Sequence, residues 1–301
     1  MGRLTAIVLG SAAGGGFPQW NDLGPVGRLA WQGDPRISLR SQAGIAVSGD
    51  GAHWVLINAT PDLRSQIIAT SALHPAVAPR HSPISSVVLT GAEVDQIAGL
   101  LTLRERQPFG IWATQAVLDV IDANPIFSVL AAEVVPRHTA QLDSAFDAPG
   151  GLSVELFAVP GKIPLHQEAG APDLVGAADI NAGVEIRAGG ATLIYIPGAA
   201  ALTAQIVARI ARADVVLFDG TLFTDDEMIR TGTGQKSGRR MGHMPISGAD
   251  GSLKALAELS NRRIYTHINN TNPVLVKGSA ERMQVEATGW DVAYDGMEIT
   301  L

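Results

Sequence analysis

Short apolar runs alternate with polar turns along the whole chain, and this pattern predicts strands interleaved with short helices. Aliphatic and β-branched residues dominate each run, as they do in buried strands, and glycine or proline follows many of the runs. The predicted strands cover residues 4–10, 41–48, 54–58, 87–90, 110–113, 151–159, 183–187, 192–196, 214–219 and 263–268. The predicted helices cover residues 63–70, 114–122, 201–212 and 252–259, and one more starts at 100–103.

The order of these elements repeats in two halves, because a hairpin opens each half and strands and helices then alternate. Glycine-rich turns at residues 49–51 and 188–191 join the hairpin strands. Two such halves predict an α/β fold, a four-layer αββα sandwich in which two sheets face each other and helices cover the outside. No linker separates the halves, so residues 1–301 are expected to form a single domain.

Polar residues follow the predicted strand at 87–90, in the loop that leads to the next helix. Glu93, Asp95 and Gln96 lie in this loop. Ligands of open α/β sheets bind at the carboxyl ends of strands, and two carboxylates with an amide suit a divalent cation or a polar substrate. The alternative is a solvated acidic turn in which Asp95 caps the helix. The pattern by itself leaves both interpretations open.

Two later strands also end in polar groups. Asp219 ends the strand at 214–219, and His267, Asn269 and Asn270 lie at the end of the strand at 263–268. A lone histidine after a strand is more often a packed residue than a metal ligand. Histidine together with carboxylates from other strand ends, however, suits iron, zinc or manganese. The sequence therefore predicts a metal site if these strand ends converge.

A glycine-rich polar segment at 231–240 precedes a further candidate, His243. The segment contains Arg239 and Arg240, whose guanidinium groups suit an anionic ligand, although an ordinary exposed loop has the same composition. His166, on a loop rich in proline and glycine, is an additional candidate ligand.

The glycine-rich loop at 11–16 follows the first predicted strand but has none of the lysine and serine or threonine of a P-loop. Its glycines are expected to permit close backbone approach in a packed loop instead of binding phosphate.

Charge and cysteine content exclude several classes of function. The formal net charge is -7 and no basic block exists, which argues against a nucleic-acid partner. The chain has no cysteine, so disulfides, thiolate zinc sites and cysteine nucleophiles are excluded. No stretch is long and apolar enough for a membrane span or a full signal peptide, so a soluble cytoplasmic protein is expected.

Several motifs distributed from Leu9 to Leu275 resemble the coenzyme PQQ synthesis protein B family. They are GSAAGGGFPQWN, NATPD, GLLTLRE, LFDGT, DDEM, MGH and HINNTNPVL, and the C-terminal WDVAYDGMEITL also fits. The resemblance implies a metallo-β-lactamase fold, which is the same αββα sandwich. It also implies a role in making pyrroloquinoline quinone (PQQ), a tricarboxylate redox cofactor built from the Glu and Tyr of a peptide.

The resemblance further implies where metal ligands lie. The HxHxDH motif of the superfamily falls here on Gly91, Glu93, Asp95 and Gln96, so only the aspartate is retained, and family members usually have a histidine where Gln96 stands. His267 matches the histidine of the HINN segment and is the strongest ligand candidate.

Two other departures from related proteins matter. Family members usually hold a structural zinc ion with three cysteines, at positions that are Asp22, Gly24 and Gly27 here, so no structural zinc is expected. Related phosphodiesterases bridge two metals with an aspartate in a segment that reads YIPGA here, with Gly198 and no acid, which argues against a dinuclear hydrolytic site.

Three functions follow from this reading. The main hypothesis is a PQQ-synthesis oxygenase that uses one Fe(II) ion to hydroxylate the intermediate derived from Glu and Tyr. A second is a non-catalytic binder or carrier that takes PQQ or its precursor toward the periplasm, and a disfavoured third is a metal-dependent phosphodiesterase. The expected partner is therefore a small molecule. The sequence leaves open whether the protein forms a homodimer.

The main hypothesis gives each candidate residue a role. The expected ligands of iron are Glu93, Asp95 and His267, with Gln96 as a marginal one, and the expected catalytic residues are His243, as proton donor, and Asp219. The residues expected to bind substrate are Arg104, Arg239, Arg240, Asn269 and Asn270.

Overall fold

The strands form two seven-stranded sheets in a computed structural model that describes residues 2–161 and 179–301. In chain order the strands are β1 (Thr5–Gly10), β2 (Gly44–Ser48), β3 (Trp54–Ile57), β4 (Ile84–Val88), β5 (Gly110–Ala113), β6 (Arg137–Thr139), β7 (Phe146–Ala148), β8 (Leu152–Ala158), β9 (Ala182–Ala188), β10 (Ala191–Ile196), β11 (Val215–Asp219), β12 (Arg262–Thr266), β13 (Trp290–Val292) and β14 (Glu298–Thr300).

Short helices connect the strands. The α-helices are α1 (Pro25–Trp31), α2 (Leu63–Ala69), α3 (Val94–Ile97), α4 (Gln115–Ala123), α5 (Ala204–Ile210), α6 (Glu227–Arg230), α7 (Ser252–Ala255) and α8 (Ala280–Ala287). Single 3₁₀ turns or short 3₁₀ helices cover Ser71–Leu73, Ala98–Leu103, Pro125–Val129, Arg239–Met241 and Pro273–Leu275. Within the described ranges, no helix has both the length and the apolar character needed to cross a membrane.

The two sheets share one plan. The first has the order β14-β1-β2-β3-β4-β5-β6, and the second has the order β13-β12-β11-β10-β9-β8-β7. In each sheet the hairpin strands pair antiparallel, and the strands on one side of the hairpin pair parallel: β3 to β6 in the first and β10 to β13 in the second. Parallel strands point their carboxyl ends the same way, so β4, β11 and β12 deliver their following loops to a common edge.

Alternating side chains along each strand build three apolar layers. In β10, Leu193 and Tyr195 pack between the two sheets, whereas Ile194 and Ile196 pack under the helices of the second sheet. The third cluster lies under the helices of the first sheet. Both faces of these strands are therefore buried, which explains their nearly continuous apolar sequences. The predicted αββα sandwich is confirmed.

The structure departs from the predicted elements in several places. The helix after β4 begins at Val94, before the predicted start at 100–103, and residues Ala98–Leu103 continue it as a 3₁₀ helix. Helix α1 follows the glycine-rich loop, where no helix was predicted, and the short strands β6 and β7 were also missed. The C-terminal strand β14 pairs with β1 in the first sheet, although its sequence neighbour β13 belongs to the second.

Candidate metal centre

A cavity of about 300 Å³ opens where the loops after β4, β10, β11 and β12 meet. Most of the predicted site residues reach it. Those that line the cavity are Glu93, Asp95, Gln96, His243, His267 and Asn269, together with Gly14, Asn181, Gly198, Thr221, Met228 and others. The loops from both sheets thus contribute to one site.

The first-sheet side of the cavity is organised by the start of helix α3. Glu93 is the N-cap residue, and the Gln96 side-chain oxygen accepts a hydrogen bond from the Glu93 backbone N–H at 3.0 Å in a capping box. The Gln96 amide nitrogen donates to the Thr90 hydroxyl at 3.2 Å. The alternative interpretation of this loop predicted Asp95 as the cap residue, but the cap residue is Glu93.

Gln96 also fills the space that a side chain at position 91 would need. A Cβ atom on Gly91 would lie 2.4 Å from the Gln96 Oε1 atom. Because Oε1 is already the acceptor of the helix cap, its contacts do not support the predicted marginal ligand role of Gln96. Gly91 stands where the superfamily motif has its first histidine, and the capping side chain of Gln96 occupies the space that such a residue would need.

Asp95 and His267 join the two sheets across the cavity. The Asp95 Oδ2 and His267 Nε2 atoms are 3.3 Å apart, and both side chains are largely buried. His267 adopts a left-handed backbone conformation with φ 56°, which turns its ring back toward the cavity. The contact spans residues that are 172 positions apart in the sequence.

The electrostatics of this pair favour opposite charges. Burial opposes ionisation of both groups, but the hydrogen bond and the charge of Asp95 raise the pKa of His267 above its usual value. Burial acts in the same way on Asp95, yet the hydrogen bond and charge of His267 hold the pKa of Asp95 below its usual range. In the absence of a metal ion, these shifts favour a protonated His267 ring, which carries the positive charge that pairs with the Asp95 carboxylate.

The donor atoms of this pair suit a divalent transition-metal ion. Ligands at about 2.1 Å from an ion lie about 3 Å from each other, and Asp95 and His267 have that separation. Glu93 also lines the cavity, and its charge acts on His267, although its side chain also accepts the Gln96 N–H in the capping box. One imidazole and two carboxylates are a donor set that iron, zinc and manganese accept.

The second-sheet side contains Asp219, whose carboxylate oxygens accept four hydrogen bonds. Its Oδ2 atom accepts hydrogen bonds from the Ala199 N–H at 2.9 Å and from the His243 Nδ1 atom at 2.8 Å. Its Oδ1 atom accepts from the Thr221 N–H at 3.0 Å and from the Thr221 hydroxyl at 2.6 Å. Although burial opposes ionisation, His243 keeps the pKa of Asp219 below its usual range.

Asp219, His243 and His267 also have potential ligand atoms within 4.8 Å of one another. The Asp219 oxygens and the His243 Nδ1 atom, however, already bond to each other. These contacts orient the two rings and leave the Nε2 atom of His267 facing Asp95. Stacking of the His243 and His267 rings, with centroids 5.2 Å apart, keeps both rings in this arrangement.

Thr221 is the site residue that the sequence analysis missed. It is buried, and its hydroxyl contacts Asp219, His243 and His267. The signal was present in the motif LFDGT, because Thr221 follows Asp219 by two positions at the end of a buried strand. A hydroxyl in such a turn has many local acceptors, so sequence alone does not single it out.

The predicted arginines do not come together at the cavity. Arg104 is exposed, and its guanidinium donates to the Leu101 carbonyl and lies near Glu105. Arg239 lines a second cavity and donates to the carbonyls of Ala200 and Asp250. Arg240 is exposed on the same short 3₁₀ helix. The structure thus gives none of the three a place in the wall of the cavity.

The two predicted asparagines have different surroundings. Asn269 lines the cavity and donates to the Thr271 hydroxyl at 2.7 Å. Asn270 is buried, donates to the Gly16 carbonyl at 2.7 Å and accepts from the Gln19 N–H. Asn270 therefore ties the glycine-rich loop to the end of β12, while Asn269 faces the cavity.

The glycine-rich loop packs against the site, as its sequence predicted. A Cβ atom on Gly14 would lie 3.5 Å from Asp95 Oδ2, and Gly15 and Gly16 have φ values of 98° and 72° that favour glycine. The Ala13 N–H donates to the Ile268 carbonyl at 2.9 Å. The loop therefore covers the side of the cavity next to Asp95.

Asp22 fills the place of the family's cysteine cluster. Its Oδ1 atom accepts from the Gly24 N–H at 2.9 Å, and a Cβ atom on Gly27 would lie 2.1 Å from its Oδ2 atom. The Trp31 indole donates to the Asp22 carbonyl at 2.7 Å. These donors do not fit a thiolate zinc site, and the turn closes on the aspartate instead. The other candidate ligand, His166, lies outside the described residues.

Comparison with known proteins agrees with this fold. The Beta-lactamase superfamily domain model matches residues 53–268, which defines the class of protein. The proteins named Coenzyme PQQ synthesis protein B from Methylobacterium sp. (strain 4-46) and Gluconacetobacter diazotrophicus are 53% and 52% identical, over 99% and 98% of this chain and 100% and 98% of theirs. The chain belongs to the coenzyme PQQ synthesis protein B family.

Solved structures show the same relationship. The crystal structure of Zn(2+)-bound PqqB from Methylobacterium extorquens has a TM-score of 0.97 and 51% identity, over 99% of this chain and 100% of that one. A diphosphatase from the PhnP family has a TM-score of 0.70 at 18% identity, over 99% of this chain and 97% of that one, and shows the shared fold alone.

Proposed function

We propose that this chain acts in PQQ synthesis as an oxygenase that binds one Fe(II) ion and hydroxylates the intermediate derived from Glu and Tyr. The observation that carries the proposal is the 3.3 Å approach of Asp95 and His267 at the wall of a cavity of about 300 Å³. Family membership supports the pathway. The donor set supports a single transition-metal ion, and the Zn(2+)-bound relative supports metal binding in this family.

Asp95 and His267 would hold the ion, and Glu93 is the third candidate ligand because it lines the same cavity. Iron bound by one imidazole and carboxylates keeps open positions and supplies activation of dioxygen. The oxygen atom of the new hydroxyl would come from dioxygen, whose second atom leaves as water with two electrons from the substrate or an external reductant.

His243 would exchange a proton with the substrate next to the ion, and Asp219 would orient the His243 ring. Asp219 is saturated with donors and stays ionised, so it orients His243 through the Nδ1 atom. The Nε2 atom of His243 is then left to exchange a proton with a bound substrate, and the ring lines the cavity.

Substrate recognition in this proposal relies on the cavity wall and not on the predicted arginines. Asn269, Asn181 and Met228 line the cavity, whereas Arg104 is exposed and Arg239 faces elsewhere. Asparagine side chains and backbone groups would therefore orient the carboxylates of the substrate.

The test combines metal analysis with oxygen chemistry. The protein is loaded anaerobically with Fe(II), and oxygen uptake and product mass are measured with a Glu-Tyr-derived phenol in ¹⁸O₂ and in unlabelled dioxygen. We expect oxygen uptake that depends on substrate, and one labelled oxygen atom in the product. Protein that binds Fe(II) but consumes no oxygen would contradict the oxygenase proposal.

The carrier hypothesis has one observation in its favour, since Gln96 belongs to a helix cap and leaves the centre with fewer ligands than usual. Binding of PQQ to metal-free protein, unchanged by a chelator, would favour it. A phosphodiesterase has less support, because a Cβ atom on Gly198 would lie 3.2 Å from the His243 ring and leave little room for a bridging acid.

A further inference from the structure

The Thr221 hydroxyl lies at the centre of the second-sheet side of the site. Its oxygen is 2.6 Å from Asp219 Oδ1, 2.8 Å from His267 Nδ1, 3.1 Å from His243 Nδ1 and 2.9 Å from the His267 carbonyl oxygen. A threonine hydroxyl has one proton to donate and two lone pairs to accept with. These contacts therefore restrict where the protons of the neighbouring groups lie.

The hydroxyl proton goes to Asp219. That contact is the shortest of the set, and hydrogen bonds to a carboxylate are the strongest available to a hydroxyl. With its proton committed, the Thr221 oxygen acts as an acceptor toward the ring nitrogen of His267. The His267 Nδ1 atom must then carry a hydrogen. The Nε2 atom, which shares its own hydrogen with Asp95 in the metal-free protein, is therefore the nitrogen that can exchange its hydrogen for an ion.

The same argument determines which nitrogen of His243 carries a hydrogen. Its Nδ1 atom is 2.8 Å from Asp219 Oδ2 and 3.1 Å from the Thr221 oxygen, and both are acceptors. The Nδ1 atom of His243 therefore also carries a hydrogen, and both rings present their Nε2 atoms to the cavity.

The backbone holds Thr221 firmly in this place. Its N–H donates to Asp219, and its carbonyl accepts from the Asn269 N–H at 3.0 Å and from the Asn272 side chain at 3.3 Å. Only 5% of its surface is exposed. The hydroxyl is thus preorganised before any ion or substrate arrives.

We propose that Thr221 is the positioning residue of this site: its hydroxyl sets the Nδ1–H tautomer of His267 and aims the Nε2 atom at the ion position. This inference rests on the proposed metal centre and adds to it the residue that selects the ligating nitrogen. Thr221 acts through His267 and does not itself contact the ion position.

Three variants test the proposal. Thr221→Val keeps the branched shape and removes the hydroxyl, and Thr221→Ser keeps the hydroxyl. Thr266→Val is the matched control, because Thr266 is buried beside His267 and the described residues offer its hydroxyl no hydrogen-bond partner. The readouts are ¹⁵N shifts of the histidine rings in Zn(2+)-loaded protein, which distinguish the nitrogen that binds the ion from the one that carries a hydrogen, and Zn(2+) affinity by competition with a chromophoric chelator. Thermal unfolding reports whether each variant folds.

We expect wild-type His267 to bind the ion through Nε2 and to carry the hydrogen on Nδ1, and we expect a mixture of the two binding modes in Thr221→Val. Zn(2+) binding should weaken by about 10–100-fold in Thr221→Val, the range typical of partners outside the ligand set. Thr221→Ser and Thr266→Val should stay close to wild type. A merely structural role would not produce the change of tautomer or its rescue by serine.

Two results would overturn this proposal alone. One is an ion bound through Nδ1 of wild-type His267, with the hydrogen on Nε2; this result needs no variant and holds even if Thr221→Val fails to fold. The other is a folded Thr221→Val with the wild-type tautomer and affinity. Protein that binds no Zn(2+) would overturn both proposals, whereas protein that binds Zn(2+) through His267 Nε2 but consumes no oxygen with Fe(II) would contradict the oxygenase alone.

Discussion

The two sides of the cavity are built in different ways. On the first-sheet side, Glu93, Gln96 and Thr90 bond to one another within a few residues, as parts of a helix cap. On the second-sheet side, Asp219, His243 and His267 come from separate segments and meet around Thr221. The first side depends on local sequence, and the second depends on the pairing of parallel strands.

This difference shows how one half of a metal site can change while the other stays intact. A helix cap is satisfied by several residue types, so a ligand there can become a capping amide at small cost to the fold. The buried network around Asp219 has a donor or acceptor for each of its members, and removal of one leaves another unsatisfied. The following predictions test this contrast.

The largest effect is expected for His267→Ala, because His267 connects the two sides. We expect Zn(2+) affinity to fall by more than about 100-fold, beyond the range for partners outside the ligand set. Chelator competition measures it. His138→Ala, which removes a ring stacked on Trp112 away from the cavity, should leave the affinity unchanged. Equal affinities in both variants would remove His267 from the centre.

The next effect concerns pH and Asp95. Because the pKa of His267 is raised, metal must displace a proton at low pH, so wild-type affinity should increase as pH rises through that pKa. Asp95→Asn removes the main cause of the raised pKa, although the charges of Asp219 and Glu93 remain, so the increase should occur at lower pH, with affinity at least about 10-fold weaker at alkaline pH. Isothermal titration across pH measures both. An unshifted pH profile would contradict the pairing.

The same pair predicts the pH dependence of the metal-free protein. The raised pKa of His267 contributes stability below the unfolded value of about 6.5, and this is lost as pH rises through the folded pKa. The lowered pKa of Asp95 contributes stability above about 3.9, which is lost as pH falls. Chemical unfolding should therefore show the contribution of this pair between about pH 4 and 6.5, and not in Asp95→Asn.

A smaller effect is expected at Glu227, beside the second-sheet side. Burial raises the pKa of Glu227 to about 7, although Thr271 and the Phe223 N–H bond to its oxygens. A carboxyl whose folded pKa is raised costs stability as pH rises toward 7. Glu227→Gln should therefore be more stable than wild type by about 2 kcal/mol at alkaline pH, with less difference at pH 5. The exposed Glu258→Gln is the control in urea unfolding.

The smallest effect is expected on the local side. Gln96→Ala should lower the free energy of unfolding by about 1 kcal/mol, because it removes the acceptor of the capping box. Gln96→Glu retains an acceptor for the Glu93 N–H and should lose less. Urea unfolding of the metal-free proteins measures both. A loss in Gln96→Ala as large as that of a core deletion would contradict a purely local role.

The sequence by itself determined the layers of this fold and the chemistry available to it. Alternating apolar residues identified most strands, and polar residues after β4, β11 and β12 identified the edge where the site lies, because both patterns are local. The repeated order of the elements predicted the αββα sandwich, and the motifs led to the family, both of which the comparisons show.

Only the tertiary structure decided which atoms meet. Asp95 contacts His267, and Gln96 caps helix α3. The Thr221 hydroxyl contacts His267, whereas Arg104 is exposed outside the cavity. The C-terminal strand returns to β1 in the first sheet. Each outcome depends on strand register and on competition among nearby donors and acceptors, which residue order alone does not resolve.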